Sequence, residues 1–557
     1  MSDNIILLKE NNCKDCYKCI RNCPVKAISF VDNHAHILPD ECILCGQCYV
    51  VCPQDAKVIR SDVDKVKAAI RSGRRVVASI APSFMAEFRV GGIEDMEEAL
   101  ARLGFSSAEE TAIGAELVSR EYERLMREKR QGIIISSCCP SINLLIQKYY
   151  PDMLPCLAPV LTPMQAHCKK IREGDPDAFT VFIGPCIAKK AEGDNFDYTD
   201  VVLTFDELRQ WLKEADIEPV KRDRPPESNG KRARLYPISG GLLKTLDPDP
   251  DYRYIMVDGI EGCRSALEEL RTGAFHDMFV EMNACDGCCL NGPCIREHRE
   301  TRLRGTMRID SYAGSARWNS TPLNDISTYF STKKTCPVQP GSEEIQAVLT
   351  KMGKTSPEKE LNCGSCGYPT CREKAIAVCQ GKAEIEMCLP FLKEKAESFS
   401  DKIINNTPNA VLVLDEDLVV QQINKSALSM FKLHNADDIL HGPVVRLLDP
   451  TDYMHVVNTG RNVYNKRHYV AEYKIFVEET IIYDKQYRIL ISILRDVTEQ
   501  EELRKNDLEL RRQTAEVTDK VIDKQMRVVQ EIASLLGETT AETKIALTKL
   551  KEALAHE

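Results

Sequence analysis

Apolar positions in the first half of this 557-residue chain alternate between helical and strand-like spacing. Val63, Val66 and Ile70 fall on one face of an amphipathic helix that stops at Gly73. Val76–Ile80 is then apolar throughout and short enough for a buried strand, closed by Ala81, Pro82 and Ser83. Similar runs occur at Ile133–Ile135, Phe179–Ile183 and Val201–Leu203, with residues 107–128 reading as helical. Alternating strand and helix predicts an α/β domain with largely parallel sheets, whose sites lie at the carboxyl ends of the strands. Residues 320–345 are rich in turn formers and read as a linker. Beyond them, Ala410–Leu414, an acidic turn at 415–417 and Leu418–Val420 read as strand, turn, strand. A short helix over Asn424–Phe431 and a strand over Tyr487–Ile493 follow. From Glu499 the pattern is helical. Leu503, Leu510 and Val517 stand seven apart, and Val521, Val528 and Leu535 resume that spacing after a step of four. This is a heptad seam with a register shift, fit for a coiled coil or a packed helical arm. Gly537 interrupts it, and Thr539 with Glu542 forms a capping-box signature for a last helix.

A net charge of −10 argues against nucleic acid or an anionic membrane as partner. No apolar stretch approaches the length of a membrane span, and Met1-Ser2-Asp3-Asn4 does not open a signal peptide, so the expectation is a cytoplasmic protein. The 24 cysteines change the picture. They cluster as Cys-x-x-Cys sets in a long chain, which points to metal or iron–sulfur ligation rather than disulfides. Structural zinc is the competitor for each set taken alone.

Cys13, Cys16, Cys19 and Cys23 recur 29 residues later as Cys42, Cys45, Cys48 and Cys52, and Pro24 and Pro53 end the two loops. The spacing wraps three thiolates round one cubane and sends the fourth to the other. Cys13, Cys16, Cys19 and Cys52 are thereby expected to hold one cluster, and Cys42, Cys45, Cys48 and Cys23 the other. Residues 1–62 resemble a bacterial-type two-cluster ferredoxin, which implies electron relay. Cys363, Cys366, Cys371 and Cys388 form a further set, similar to small four-cysteine iron–sulfur domains of redox complexes. Cys379 lies outside that set and is expected as a buried thiol on a helix.

Three loops in the middle carry the chemistry: Ser137-Cys138-Cys139-Pro140, Gly184-Pro185-Cys186 with Lys189, and Glu281 to Cys289. They resemble the signature loops of iron-only (FeFe) hydrogenases, whose H-cluster joins a cubane to a two-iron subsite. The resemblance implies that Cys139, Cys186, Cys285 and Cys289 hold the cubane and that Cys289 bridges to the subsite. It implies that Lys189 binds one cyanide of the subsite and the Pro82-Ser83 segment the other, through the Ser83 N–H. Cys138 matches the thiol that passes a proton outward. Beyond it the pattern breaks. The family's relay glutamates fall on Tyr122 and Leu125, its relay serine on Ala158, and two cluster-packing methionines on Gly184 and Asn283. Cys288 and Cys294 match nothing in the pattern and read as filling, and His34, His36, His434 and His441 carry no ligand signal.

The expected architecture is multidomain α/β and α+β. Residues 1–62 form the ferredoxin-like domain, 63–340 the α/β H-cluster domain and 345–395 the small four-cysteine Fe–S domain. Residues 396–498 resemble a PAS sensor domain and 499–557 form a helical signalling arm. The resemblance implies three accessory 4Fe-4S clusters and an H-cluster. The expected function is a slow, hydrogen-sensing hydrogenase. Its expected partners are hydrogen and protons, a ferredoxin-like donor, maturation proteins, and a downstream phosphatase or kinase docked at Leu535, Leu536 and the last helix; the arm would serve a homodimer. The alternatives are a catalytic ferredoxin-dependent hydrogenase with a regulatory tail, and a hydrogenase-like assembly factor lacking the two-iron site.

Overall fold

The structure is a computed structural model that describes residues 4–129, 131–222, 230–295, 302–319, 323, 325–333, 339–536, 544–549 and 551. Gly537, the Thr539–Glu542 signature and most of the last expected helix lie outside the described residues, as do the side chains of Leu535 and Leu536. The chain divides into two compact units, Met1–Phe391 and Leu392–Glu557.

The first unit begins with a domain whose backbone repeats. Ile6–Leu8 pairs antiparallel with Lys57–Ile59, and Ile28–Val31 pairs with His34–Ile37. Left-handed residues Asp15, Tyr17 and Lys26 return 29 positions later as Leu44, Gly46 and Asp55. The Ala27 N–H donates to Cys23 Sγ at 3.3 Å and the Ala56 N–H to Cys52 Sγ at 3.3 Å. One ligand-loop conformation is therefore built twice, which is what a ferredoxin-like iron–sulfur domain requires.

The α/β part holds two parallel sheets. In one, Ser107–Glu110, Val76–Ile80, Phe179–Gly184 and Val201–Thr204 lie side by side; in the other, Arg253–Asp258, Met278–Asn283 and Ile133–Ile135 do. Helices Val63–Arg71 and Phe205–Glu214 pack on one face of the first sheet and Pro163–Gly174 on the other, so its apolar strands are buried on both faces. Ser107–Glu110, expected as helix, is a strand. Its backbone is claimed by parallel pairing with Val76–Ile80, and the helix begins only at Ala112. That helix crosses Pro163–Gly174 so closely at Gly114 that a Cβ there would lie 2.2 Å from the Pro163 carbonyl. The expected linker is also partly structured. Leu161 N–H donates to the Ile326 carbonyl, Thr328 N–H to that of Pro159, and Ile326 is buried; the helix Ser342–Lys351 begins inside the linker range. Cys379 ends the helix Cys371–Cys379 and is exposed, not buried, because the helix turns its last residue outward.

In the second unit one antiparallel sheet runs in the order Val420–Ile423, Ala410–Asp415, Ile489–Asp496, Ile475–Asp484, Val463–Val470. Leu412, Leu414, Val477, Ile481, Leu490 and Leu494 alternate inward and form its core with Phe431 and Tyr453. The helix Thr498–Leu536 follows, and Leu503, Leu510, Val517, Val521 and Val528 are all exposed along it.

Candidate functional site

Each loop that carries a site residue leaves the carboxyl end of a parallel strand. Ile80 leads into Pro82 and Ser83, Ile135 into Cys138 and Cys139, Gly184 into Cys186, and Asn283 into Cys285. The two sheets aim these ends at one another, and the loops enclose a cavity of about 120 Å³. Cys139, Cys186, Cys285 and Cys289 line it, together with Cys138, Lys189, Pro82 and Ser83. Leu44 and Cys45 of the ferredoxin-like domain reach the same cavity.

The donor chemistry fits an iron–sulfur group. Burial pushes the thiols of Cys139 and Cys285 up and that of Cys186 to about 12, so an apolar cavity alone would keep them protonated. Lys189 is the one cationic side chain among the described lining residues, too little to balance four thiolates. Iron held by these four cysteines would supply that balance, because metal ligation requires the thiolate form. Cys289 differs: a hydrogen bond from Cys288 pulls its thiol below the ordinary value. Cys288, which the sequence left as filling, is thus placed directly against a candidate ligand, with its backbone held at φ +59°. The Ser83 hydroxyl is buried without a hydrogen-bond partner among the described residues, an orphaned polar group at the cavity wall.

Lys189 sits on the helix Ala188–Asn195 one turn from Glu192, and its Nζ donates to Glu192 Oε2 at 2.7 Å with both side chains nearly buried. The Thr162 hydroxyl donates to the other carboxylate oxygen. On the opposite side, Cys138 Sγ lies 3.2 Å from the Tyr122 hydroxyl, which accepts from Ser137 N–H at 3.0 Å. Burial raises Cys138 to about 12, against a lowering hydrogen bond from Tyr122. Burial also holds Tyr122 well above the ordinary phenol value. Leu125 and Ala158 are buried apolar neighbours in the same core cluster.

Sequence reasoning gave no role to Glu281. It lines the cavity, is 1% exposed, and accepts from Asn283 Nδ2 at 3.0 Å and Leu243 N–H at 3.2 Å. Burial nonetheless raises its carboxyl to about 7. An acid inside the apolar strand end Met278–Asn283 was the available signal, as the i,i+3 spacing from Lys189 was for Glu192.

Cys363, Cys366, Cys371 and Cys388 also share one small pocket, with Tyr368 and a fully buried Lys374. Burial lowers the Lys374 ammonium to about 8, with Cys366 and Cys388 opposing the shift. In the ferredoxin-like domain Lys57 is buried, donates to the Ala35 carbonyl, and faces both Cys19 and Cys48. Cys13, Asp15 and His34 offer ligand atoms within 4.8 Å of one another, so His34 stands beside a candidate ligand that the sequence did not connect with it. Cys294 is fully buried in the core shared by Ile20 and Cys23.

Residues 74–293 match the family described as iron only hydrogenase large subunit, C-terminal domain. Residues 5–65 match a 4Fe-4S dicluster domain and 360–390 a putative Fe-S cluster domain. The periplasmic Fe hydrogenase large subunit of Nitratidesulfovibrio vulgaris is 25% identical over 385 residues, which cover 56% of this chain and 91% of that one. Iron hydrogenase 1 of Clostridium pasteurianum is 25% identical over 299 residues, 42% of this chain, and the match spans only about half, 52%, of that relative. A cytosolic Fe-S cluster assembly factor of Eremothecium gossypii is 30% identical over 115 residues, 19% of this chain and 26% of its own. Among solved structures, an FeFe-hydrogenase variant from Chlamydomonas reinhardtii is 18% identical with a TM-score of 0.39, covering 50% of this chain and all of that one.

Proposed function

We propose that this chain, which carries an iron-only hydrogenase large-subunit domain between a 4Fe-4S dicluster domain and an Fe-S domain, is a slow hydrogen-sensing hydrogenase. The observation that carries the reading is one cavity lined by Cys139, Cys186, Cys285, Cys289, Cys138, Lys189, Pro82 and Ser83. When bound, the H-cluster would supply the iron and the base that split hydrogen into protons and electrons. The four cysteines would hold it. Lys189, which lines the cavity and pairs with Glu192, would offer its ammonium to an anionic acceptor there, where a charge-assisted hydrogen bond is about twice a neutral one. The Ser83 N–H would meet a second acceptor. Cys138 Sγ holds a proton and can exchange it with the Tyr122 hydroxyl.

Slowness follows from what lies beyond that hydroxyl. Tyr122 resists ionisation, and Leu125 and Ala158 can neither accept nor donate. Positioned proton transfer is typically worth about 10²–10⁴-fold, so turnover should fall by that order below relatives with an intact relay. The sensory part of the reading rests on the second unit, whose five-stranded antiparallel sheet followed by a 39-residue helix suits a PAS domain with an output arm for a phosphatase or kinase. A homodimer through the exposed apolar stripe belongs to the same reading.

Similarity to the assembly factor favours a second reading, in which the two-iron subsite is never bound. Infrared spectroscopy of matured protein separates the two. Cyanide and carbonyl bands with low hydrogen evolution support the sensor, bands with high turnover support a catalytic hydrogenase, and no bands support the assembly factor. Iron content should reach about 18 atoms for three accessory cubanes plus the H-cluster.

A further inference from the structure

The 363–388 segment is docked on the ferredoxin-like domain at a defined place. Its Cys366–Tyr368 loop packs against Ile20 and Cys23, and Cys23, Cys366 and Tyr368 belong to one buried cluster. Gly367 adopts φ +96°, and a Cβ there would come within 2.7 Å of Ile20 Cγ2. Arg21 Nη1 donates to the Ser365 carbonyl at 2.9 Å while its Nη2 donates to that of Cys16 at 3.0 Å. Phe30 N–H donates to the Lys382 carbonyl, and Lys382 pairs with Glu41 at 2.7 Å.

At the centre of this junction stands Lys26. Its ammonium donates to the carbonyls of Ile20 at 3.0 Å, Arg21 at 3.2 Å and Gly367 at 2.9 Å, so it is fixed by both partners. Burial lowers this ammonium, and Cys23, expected in the ferredoxin set with Cys42, Cys45 and Cys48, then the carboxylates of Glu373 and Glu261, and then Cys366 of the other set oppose the shift. Cys45 of that same ferredoxin set reaches the central cavity. We propose that Lys26 is a shared counter-charge that couples the 363–388 cluster to the ferredoxin cluster facing the central cavity, rather than to the one held by Cys13, Cys16, Cys19 and Cys52. The inference rests on the iron–sulfur reading of these cysteines. Adding an electron to either cluster adds negative charge, and a fixed, partly desolvated cation stabilises that charge on both sides. Three backbone acceptors hold the ammonium in place, so its field does not relax away when one cluster changes state.

The test is a redox titration of the full-length reconstituted protein, read by electron paramagnetic resonance and compared with Lys26→Met and Lys26→Arg. In Lys26→Met two clusters should become harder to reduce, the third should keep its potential, and Lys26→Arg should restore the two. Iron content equal to wild type shows that the variant is folded and loaded. In a second measurement, the reduced wild type should show spin–spin interaction between these two clusters. Gly367→Leu, which needs the space of Ile20, should lose it. Potentials that stay unchanged, or only one that moves, would overturn the shared counter-charge. Cys366→Ser identifies which signal belongs to the 363–388 segment. If it removes none, the cluster assignment itself fails and the coupling falls with it.

Discussion

Glu281→Gln is the most exacting perturbation of the central cavity, because it keeps the shape of the side chain and removes its ionisation. The wild-type carboxyl is 1% exposed and is pushed from 4.5 to about 7, first by burial, against hydrogen bonds from Asn283 and Leu243 that favour the anion. At about 1.4 kcal/mol per pH unit, that rise amounts to about 3 kcal/mol. The sign follows from linkage. A carboxyl raised in the folded state stabilises the fold fully below about 4.5, and that stabilisation is lost as pH climbs through about 7. Glutamine does not titrate, so urea midpoints of wild type and variant should converge in stability at low pH. They should diverge in the variant's favour, by up to about 3 kcal/mol, by pH 8. One cost is fixed by geometry: the amide must offer an N–H either to Asn283 Nδ2 or to Leu243 N–H, both donors, which subtracts a pH-independent amount. A carboxyl that titrates near neutrality inside the cavity is also the group there best matched to holding a proton during turnover. Hydrogen evolution with excess reduced donor should show an inflection near pH 7 in wild type and none in the variant. An unchanged inflection together with an unchanged pH dependence of stability would refute the reasoning, because the lost amide hydrogen bond does not titrate and supplies neither effect.

Cys186→Ser and Cys285→Ala should each abolish the cyanide and carbonyl infrared bands while the ferredoxin-like clusters keep their signals. Each change removes one soft thiolate from the set of four that a cubane needs, and the other thiols at the cavity, Cys138 and Cys288, belong to different positions on the loops. Lys190→Met should cost about 3–5 kcal/mol at neutral pH, since the fully buried ammonium serves Asp62 at 2.9 Å, Glu207 at 2.9 Å and the Val202 carbonyl. Burial pushes the Asp62 carboxyl up, but Lys190 and Lys65 outweigh it and hold the group below 3.8. The pair's stabilisation is therefore present above that value and fades as pH falls below it, so the variant's deficit in urea titrations should shrink in acid. Tyr122→Phe should lower stability by about 1–3 kcal/mol, because Ser137 N–H loses its buried acceptor. It should leave hydrogen evolution near wild type, and a large loss of rate would make the phenol a working relay.

How much of this was legible in the sequence depends on what each feature is made of. The cysteine loops were legible because thiol spacing is itself the chemical requirement, and Val76–Ile80 because a strand buried on both faces must be apolar. Ser107–Glu110 was not. Its residues are small or acidic, and only the register that sets Val77 against Ser107 makes it a strand. Val463–Val470 was missed for a related reason. It is an edge strand of largely exposed polar residues, so neither face carries an apolar alternation. Tyr122 could be read as a broken relay, but its grip on Ser137 and Cys138 joins residues 15 and 16 positions apart through one hydroxyl. The junction at Lys26 was the least legible of all. Its acceptors are main-chain carbonyls, one of them 341 residues away, and a carbonyl leaves no trace in residue type or spacing. What the sequence could announce was that several thiolate sets exist. Which of them share a charge is decided by packing, where a glycine without a Cβ lets one loop come close enough for a single ammonium to serve both.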